Sequence, residues 1–404
     1  MVTSLEQDIK IKYPVAYYHC ATLDSADIRR QWFEVSAGLD SVGIRVVANV
    51  CDCAGEHVRF FQNVLKQHAV EDDTCLIRRD HTWVIPDAPH VNKNCRNNMK
   101  SSGSGRGHTR WLRRNGNYIG WSVVNGTYTV STTLPNGAPR PLAALTKFPY
   151  DAVHPCGILR LRVPLSVAIF RYETRIFIEK NIERIADEAK VRVQDVRETL
   201  LYMEKVDELF TIMNGKHPIT WSDKGDGSGT PIGLRDECNT NVGLTLRGFA
   251  KKYGVSLQYL KRVSGLPNAD SRPKPGSLLL VDRLERLVSI GNWFRDWKHS
   301  VQSTPSISKA TKAAMFITPT TYDAILKTCF GTVGLIKMYV TNSTRCWVLR
   351  RLNQDPLEST FGQLRAGSGS NVDMTVKEIN SGMSRIRALG LKNTKRKNCD
   401  LSTN

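Results

Sequence analysis

The chain has 404 residues, of which 41% are hydrophobic and 24% are charged, values that are ordinary for a globular protein with a sizeable core. Its 57 lysines and arginines outnumber its 38 acidic residues, so the formal charge is +19. This surplus favours a polyanionic partner, and among such partners it favours DNA. No apolar run approaches the length of a membrane span and no secretory signal follows Met1, so we expect a soluble intracellular protein.

The first hundred residues alternate between predicted strands and predicted helices, an order that indicates a parallel sheet with right-handed crossovers. Asp52 and Asp87 each follow a predicted strand, at the carboxyl edge where open α/β sheets bind ligands, although either could instead be a helix N-cap. The predicted strands are 13–20, 43–50 and 82–86, and the predicted helices are 25–37, 54–68 and 88–99.

The ten cysteines have no regular spacing, which favours reduced thiols over a disulfide framework. Cys51, Cys53 and His57 form one local cluster that could hold zinc. A Cys-x-Cys pair at the end of an apolar strand is, however, more often part of the core.

Residues 109–121 predict a basic, aromatic hairpin that turns at Asn115 and Gly116. Its arginines, together with Trp111 and Tyr118, could hold a phosphate backbone and stack on bases, or could belong to a solvated hairpin with a small aromatic cluster. The candidate DNA-binding arginines here are Arg106, Arg110, Arg113 and Arg114. Residues 160–214 are predicted to be largely helical.

The spacing in residues 244–263 matches a helix-turn-helix, with Lys251 and Lys252 as candidate DNA contacts. An ordinary pair of helices is the alternative. Further helices are predicted over 277–297 and within 319–339. A basic run near the C-terminus, residues 392–397, could be a nuclear address or a solvated tail.

A helix start is encoded at Asp355, which is followed by Pro356 and then by Glu358. Leu357, Phe361 and Leu364 predict its buried stripe. Glu358 could fold back as the acid of a capping box. It could instead bind a metal, on a helix that Gly362 allows to lie close to its surroundings.

Three segments carry distinctive motifs: NQDPLESTFGQLR at 353–365, DAPHVNKNCRNN at 87–98 and VCDCAGEHVRFF at 50–61. Together they resemble the P-element transposase family, which includes the THAP-domain transposases. The first matches the family's N-Q-D-x-L-E-x-x-F-G-x-x-R signature, and the second matches its D-x-x-H-x-x-K-x-x-R-N motif. The third matches its V-x-D-G-A-x-x-N-R-x-F strand end, with Cys53 and His57 replacing glycine and asparagine.

The resemblance implies an α/β protein with an RNase H-like catalytic core, interrupted by a large, mostly helical insertion domain. The implied boundaries are 1–100 for the first part of the core, 101–345 for the GTP-binding-type insertion, and 346–404 for the core's C-terminal helix and basic tail. DNA cleavage and strand transfer with two Mg²⁺ would follow, with DNA as partner and the nucleus as location. A homo-oligomer is a further candidate arrangement.

The resemblance also assigns site residues, with departures from the family's pattern. Asp52 and Glu358 correspond to the second and third acids of the metal site. The first acid lies upstream of the position that matches Tyr13, so we expect a truncated, impaired enzyme in which Asp87 is the visible substitute ligand. The alternative is a non-enzymatic DNA-binding protein derived from a transposase. GTP is a candidate cofactor, with Arg162, Phe210, Asn214 and Asp355 as contacts. Thr211 replaces a guanine-reading acid, which predicts weak guanine selectivity.

Overall fold

A computed structural model describes most of the chain, and every structural statement below concerns the residues it describes. These are residues 1–5, 11–19, 24–52, 55–60, 76–77, 82–103, 108–140, 143–145, 147–215, 236–239, 245–248, 257, 261, 268–271, 278–281, 283–339, 347–369 and 374–389.

The chain divides into two compact units, each built from separate stretches of sequence. One unit, which we call the sheet unit, comprises Met1–Asp87, Met213–Leu284 and Phe330–Asn404. The other, the helical unit, comprises Ala88–Ile212 and Glu285–Cys329. The sheet unit thus combines N-terminal and C-terminal sequence, and the helical unit is made of two intervening stretches.

The sheet unit contains short strands, together with helices from the N-terminal and C-terminal stretches of the chain. In chain order its elements are β1 (Val2–Thr3), β2 (Lys12–Tyr13), α1 (Ser25–Asp40), β3 (Ala48–Cys51), β4 (Leu76–Ile77) and β5 (Thr82–Pro86). After the first stretch of the helical unit come β8 (Asp236–Asn239) and β9 (Leu278–Val281), and later α12 (Thr332–Tyr339), α13 (Asp355–Gly367) and α14 (Val376–Leu389). Residues 55–60 are also helical.

The main sheet has the order β3-β5-β4, with β3 parallel and β4 antiparallel to β5. The predicted parallel pair is therefore confirmed, although the sheet is small and mixed. All five residues of β5 are buried, as expected of a central strand covered on both faces. The strand predicted over 13–20 is wrong, because only Lys12–Tyr13 pairs, with β1 in a separate two-stranded sheet.

Helix α1 packs its apolar face against this sheet. Its buried Ile28 and Trp32 form a cluster with Val84 of β5 and with Phe60. The side chain of Asp24 accepts a hydrogen bond of 2.7 Å from the Asp27 N–H and so caps the helix. The predicted helix over 25–37 is confirmed and extends to Asp40.

The helical unit carries ten of the named helices and one hairpin. These are α2 (Ala88–Lys100), the strands β6 (Arg113–Arg114) and β7 (Asn117–Tyr118), α3 (Trp121–Thr132), α4 (Tyr150–Val153), α5 (Val163–Phe170), α6 (Tyr172–Lys180), α7 (Ile182–Ala189), α8 (Val193–Met213), α9 (Arg283–Ser303), α10 (Lys309–Ala314) and α11 (Pro319–Leu326). A 3₁₀ helix spans Gly157–Leu161, and α8 and α9 reach the unit boundaries at their ends.

The core of the helical unit is built where α2 and α9 meet α8. Tyr202 of α8 is fully buried, and its hydroxyl donates a hydrogen bond of 2.9 Å to the Cys95 carbonyl of α2. The Tyr202 ring lies edge-on to Phe294 and Trp297 of α9. Both rings are also fully buried, so α8 and α9 together form an aromatic core.

Two further elements differ from the sequence-based expectations. The predicted helix over 277–297 instead begins as strand β9, paired antiparallel with β8, and becomes helical only at Arg283. A short apolar run such as 278–281 does not distinguish a strand from a buried helix. Helix α14 was missed, although Val376, Ile379, Met383 and Ile386 have helical spacing. None of the described helices is long and apolar enough to cross a membrane.

Candidate functional site

Asp52 and Asp87 lie at the same edge of the main sheet. Because β3 and β5 run parallel with Cys51 opposite Pro86, the two aspartates directly follow two paired residues. The Asp87 N–H donates a hydrogen bond of 2.8 Å to the Cys51 carbonyl, which extends the pairing by one residue. Two acidic residues therefore follow adjacent strands at the carboxyl edge of the sheet, where ligands usually bind in such sheets.

The carboxylate of Asp87 connects this edge to the C-terminal helix α13. Asp87 is 1% exposed, and its Oδ1 accepts a hydrogen bond of 2.9 Å from the Gln354 N–H. Gln354 is the N-cap residue of α13. A buried anion at a helix N-terminus satisfies an orphan N–H and interacts favourably with the helix dipole. The sheet edge and the first turn of α13 are thus held together.

The start of α13 is capped by different groups from those that the sequence predicts. The helix takes Gln354, not Asp355, as its N-cap residue, and Asn353 Oδ1 accepts a 3.3 Å bond from the Asp355 N–H. The Glu358 N–H closes the first turn onto the Gln354 carbonyl at 3.0 Å. Glu358 is half-buried, one turn from the contact with Asp87. The acceptors that hold the helix start come from Asp87 and Asn353.

The buried face of α13 is also shifted from the predicted one. Pro356, Thr360 and Leu364 are buried, whereas Phe361 is 47% exposed and Leu357 is half-buried. The predicted buried stripe of Leu357, Phe361 and Leu364 is therefore wrong for Phe361, its middle residue. The reason is the position of α14, which packs against Leu364 and so selects the face that is covered.

Gly362 does not mediate a close approach in this structure, contrary to expectation. A Cβ atom built at Gly362 would meet nothing within 4 Å. The close approach lies on the opposite helix, where a Cβ at Gly382 of α14 would lie 2.5 Å from Leu364 Cδ2. The glycine that lets α13 and α14 pack closely is therefore Gly382.

Asp52 is engaged by a neighbouring histidine. His57 Nδ1 lies 3.2 Å from Asp52 Oδ1, and the side chains are 32% and 37% exposed. The hydrogen bond that His57 donates to Asp52 raises the pKa of His57, and burial opposes that rise. The Cys51 side chain is buried, and Cys53 lies outside the described residues, so the choice between a zinc site and core packing for Cys51, Cys53 and His57 is not tested.

We expect His57 to titrate above its ordinary pKa of 6.5, and Asp52→Asn to lower that pKa because the substitution removes the carboxylate charge. A histidine with a raised pKa in the folded state stabilises the fold fully below 6.5 and loses this contribution as the pH rises through the raised value. Titration of the His57 ring by NMR in both proteins checks this. An unchanged His57 pKa in Asp52→Asn would contradict the pairing.

Carboxylate oxygens are the ligands that Mg²⁺ prefers, and Asp52 and Glu358 both belong to the sheet unit. Within the described ranges, no group of three or more His, Cys, Asp or Glu side chains is close enough to hold a metal ion. The carboxylates of Asp52 and Glu358 have the right chemistry for Mg²⁺, but a pair of Mg²⁺ ions would require further ligands.

The basic hairpin forms as the sequence predicts. Strands β6 and β7 pair across Asn115 and Gly116, whose φ values of 51° and 76° are those of a tight hairpin turn. Its arginines make contacts inside the helical unit. Arg110 Nη1 donates to the carbonyls of Ala313 and Phe316, at 3.1 and 2.6 Å.

The other two described arginines of the hairpin also have intramolecular partners. Arg114 forms a 2.7 Å ion pair with Glu198, and its guanidinium lies over the Trp293 ring. The Arg113 guanidinium lies 4.0 Å from the centre of the Trp111 ring. These contacts account for the three arginines structurally, and their contact with DNA stays a prediction. Arg106, Lys251 and Lys252 lie outside the described residues.

The fold is similar to that of a transposase. The solved structure concerned is the Drosophila P element transposase strand transfer complex, which aligns with 93% of this chain at a TM-score of 0.56 and 16% sequence identity. The chain spans 66% of the length of that transposase. No protein-family model matches the chain, and no curated protein matches it. At this identity the similarity to the P element transposase is one of fold.

The four residues that resemblance to P element transposases assigns to GTP are divided between the two units. Arg162 is exposed and Phe210 is 9% exposed, both in the helical unit. Asn214 and Asp355 are half-buried and belong to the sheet unit. Their binding of GTP stays a prediction.

The interaction that sequence reasoning missed is the one between Asp87 and Gln354. It joins residues 267 positions apart, and no local pattern encodes such a contact. The bond between His57 and Asp52 had a weak signal, because both residues flank the start of a predicted helix only five positions apart.

Proposed function

We propose that this chain is a P element-type transposase core that acts on DNA, with an RNase H-like arrangement in which Asp52 and Glu358 bind Mg²⁺. The observation that carries the proposal is the hydrogen bond between Asp87 and Gln354. It joins Gln354, at the start of the helix that carries Glu358, to the sheet edge where Asp52 follows β3. The similarity of fold to the P element transposase supports the same conclusion.

In this proposal each side chain has a distinct task. Asp52 and Glu358 supply carboxylate oxygens to the metal, and Asp87 positions the helix that carries Glu358. His57 shares the Asp52 carboxylate and would have to yield part of it on metal binding. Bound Mg²⁺ would activate a water or a DNA 3′-hydroxyl and stabilise in-line displacement at a phosphodiester. The surplus of 19 positive charges attracts the DNA.

The second candidate function is a DNA-binding protein without catalysis. The bond between His57 and Asp52 favours it, because one of the two proposed metal ligands already has a partner inside the protein. GTP binding, assembly into a homo-oligomer and a nuclear location belong to the transposase proposal and are predictions of it.

The two functions are separated by incubating the purified chain with supercoiled plasmid DNA in Mg²⁺ or in a metal chelator. The transposase proposal expects nicked plasmid only with Mg²⁺. Salt-dependent DNA binding without nicking in either condition would favour the binding protein. If the chain neither binds nor nicks DNA, both proposals are wrong.

A further inference from the structure

Three positively charged side chains converge near the C-terminal end of α2, in the helical unit. Arg96 and Lys100 lie one turn apart on α2, and Arg160 belongs to the nearby 3₁₀ helix. Lys100 Nζ and Arg160 Nε both donate to the carbonyl oxygen of Pro155, at 2.7 and 3.4 Å. The Arg96 guanidinium donates to the carbonyl of Arg160 itself. The three cations therefore surround one short segment.

The cations of this cluster repel one another. Burial, and then repulsion from Arg160, lowers the pKa of Arg96 to about 10. Burial, followed by Arg160 and Arg96, lowers the pKa of Lys100, while the Cys156 thiol acts in the opposite direction. Asp151, the acid nearest to Arg160 in the sequence, is exposed. Across the described part of the chain, no salt bridge joins a carboxylate to any of the three cations.

A purely structural role explains only part of this arrangement. Carbonyl acceptors satisfy Lys100 and one nitrogen of Arg96, and the Arg96 Nε donates to Asn97 Oδ1 at 3.0 Å. Arg96 is 0% exposed, however, and its Nη1 is buried without a hydrogen-bond partner. A buried, unsatisfied donor on a charged group is costly, and so is the mutual repulsion of three cations. The repulsion between the cations would fall if an anion bound beside the exposed Arg160.

We propose that Arg96, Lys100 and Arg160 form a phosphate-binding site. The exposed Arg160 guanidinium would bind phosphate oxygens through its planar pair of N–H groups, with Lys100 as a second charge and Arg96 as a buried charge behind them. A DNA phosphodiester, a nucleotide phosphate and inorganic phosphate share this chemistry. The site is distinct from the carboxylates of the sheet unit, and the inference holds whether or not the chain cleaves DNA.

The first test replaces Arg160 by alanine, which removes the guanidinium but keeps the main-chain carbonyl that Arg96 binds. The matched control is Arg197→Ala, which removes the same charge from an exposed position on α8. Affinity for a short DNA duplex is measured over a range of salt concentrations for wild type, Arg160→Ala, Lys100→Gln and Arg197→Ala. If the site binds a DNA phosphodiester, Arg160→Ala reduces the slope of log affinity against log salt by about one, as for the loss of one phosphate contact.

The second test distinguishes the sources of the phosphate. Melting temperatures are measured with inorganic phosphate or with GTP, each against sodium chloride of equal ionic strength, for wild type, Arg160→Ala, Lys100→Gln and Arg197→Ala. A rise in melting temperature that only the Arg160 and Lys100 variants lose supports a site for that ligand. If both variants behave like Arg197→Ala with DNA, phosphate and GTP alike, the proposal is overturned.

Discussion

Glu358→Gln is expected to reduce Mg²⁺-dependent nicking to the level of the metal-free reaction. The substitution keeps the size of the side chain and removes the charge that a metal ligand needs. Since a bound metal supplies several kcal/mol of transition-state stabilisation, and each 1.36 kcal/mol is a factor of ten, the loss should be on the order of 100-fold or more. The measurement is the initial rate of plasmid nicking at saturating Mg²⁺.

Asp87→Asn is the matched control, because it makes the same exchange of carboxylate for amide at the same sheet edge. Asparagine retains the side-chain oxygen that accepts from Gln354, so a positioning residue should tolerate the change with a loss of less than about tenfold. Asp87→Ala removes the acceptor and should destabilise the fold by about 1.5–3 kcal/mol. If Asp87→Asn abolishes nicking as fully as Glu358→Gln, Asp87 is itself a metal ligand, as the sequence first suggested.

Glu208→Ala is expected to destabilise the helical unit by about 3–5 kcal/mol, because it removes one partner of a buried ion pair. The Glu208 side chain on α8 is 1% exposed and pairs with Arg286 of α9, whose side chain is 12% exposed. Lys205 Nζ lies 3.6 Å from the second oxygen of the same carboxylate. Alanine would leave both cations buried without their acid.

The measurement for Glu208→Ala is the free energy of unfolding in urea, followed by the circular dichroism of the helices. Glu188→Ala is the control, since Glu188 carries the same charge on an exposed part of α7 and should change stability by no more than about 0.5 kcal/mol. Glu208→Gln should fall between the two, because its amide still accepts a hydrogen bond. Equal stability of Glu208→Ala and Glu188→Ala would contradict the importance of the pair.

The elements that the sequence predicted correctly are those with strong local signals. The hairpin at Asn115 and Gly116 depends on the ease with which these two residues adopt positive φ, so its turn is encoded in two positions. Strand β5 is a compact apolar run that ends at a proline and an aspartate. The long helix α8 follows from the helical spacing of its apolar residues.

The errors occur where a distant part of the chain decides the outcome. The sequence of α13 predicts that Phe361 is a core residue. In the structure α14 packs against Leu364, and Phe361 is exposed. Residues 278–281 become a strand because β8 is available to pair with them. In both cases the local pattern is compatible with two arrangements, and packing against another element selects one.

The sequence by itself determined the basic surplus, the helix start at Asp355, the two acids that follow strands, and the motifs that resemble P element transposases, because each depends on composition or on neighbouring residues. Only the tertiary structure decided that Asp87 holds the first turn of α13, that His57 bonds to Asp52, and that Arg96, Lys100 and Arg160 converge. A hydrogen bond such as that between Asp87 and Gln354 forms only after 267 positions of chain have folded back to one sheet edge. No local preference of either residue encodes that closure.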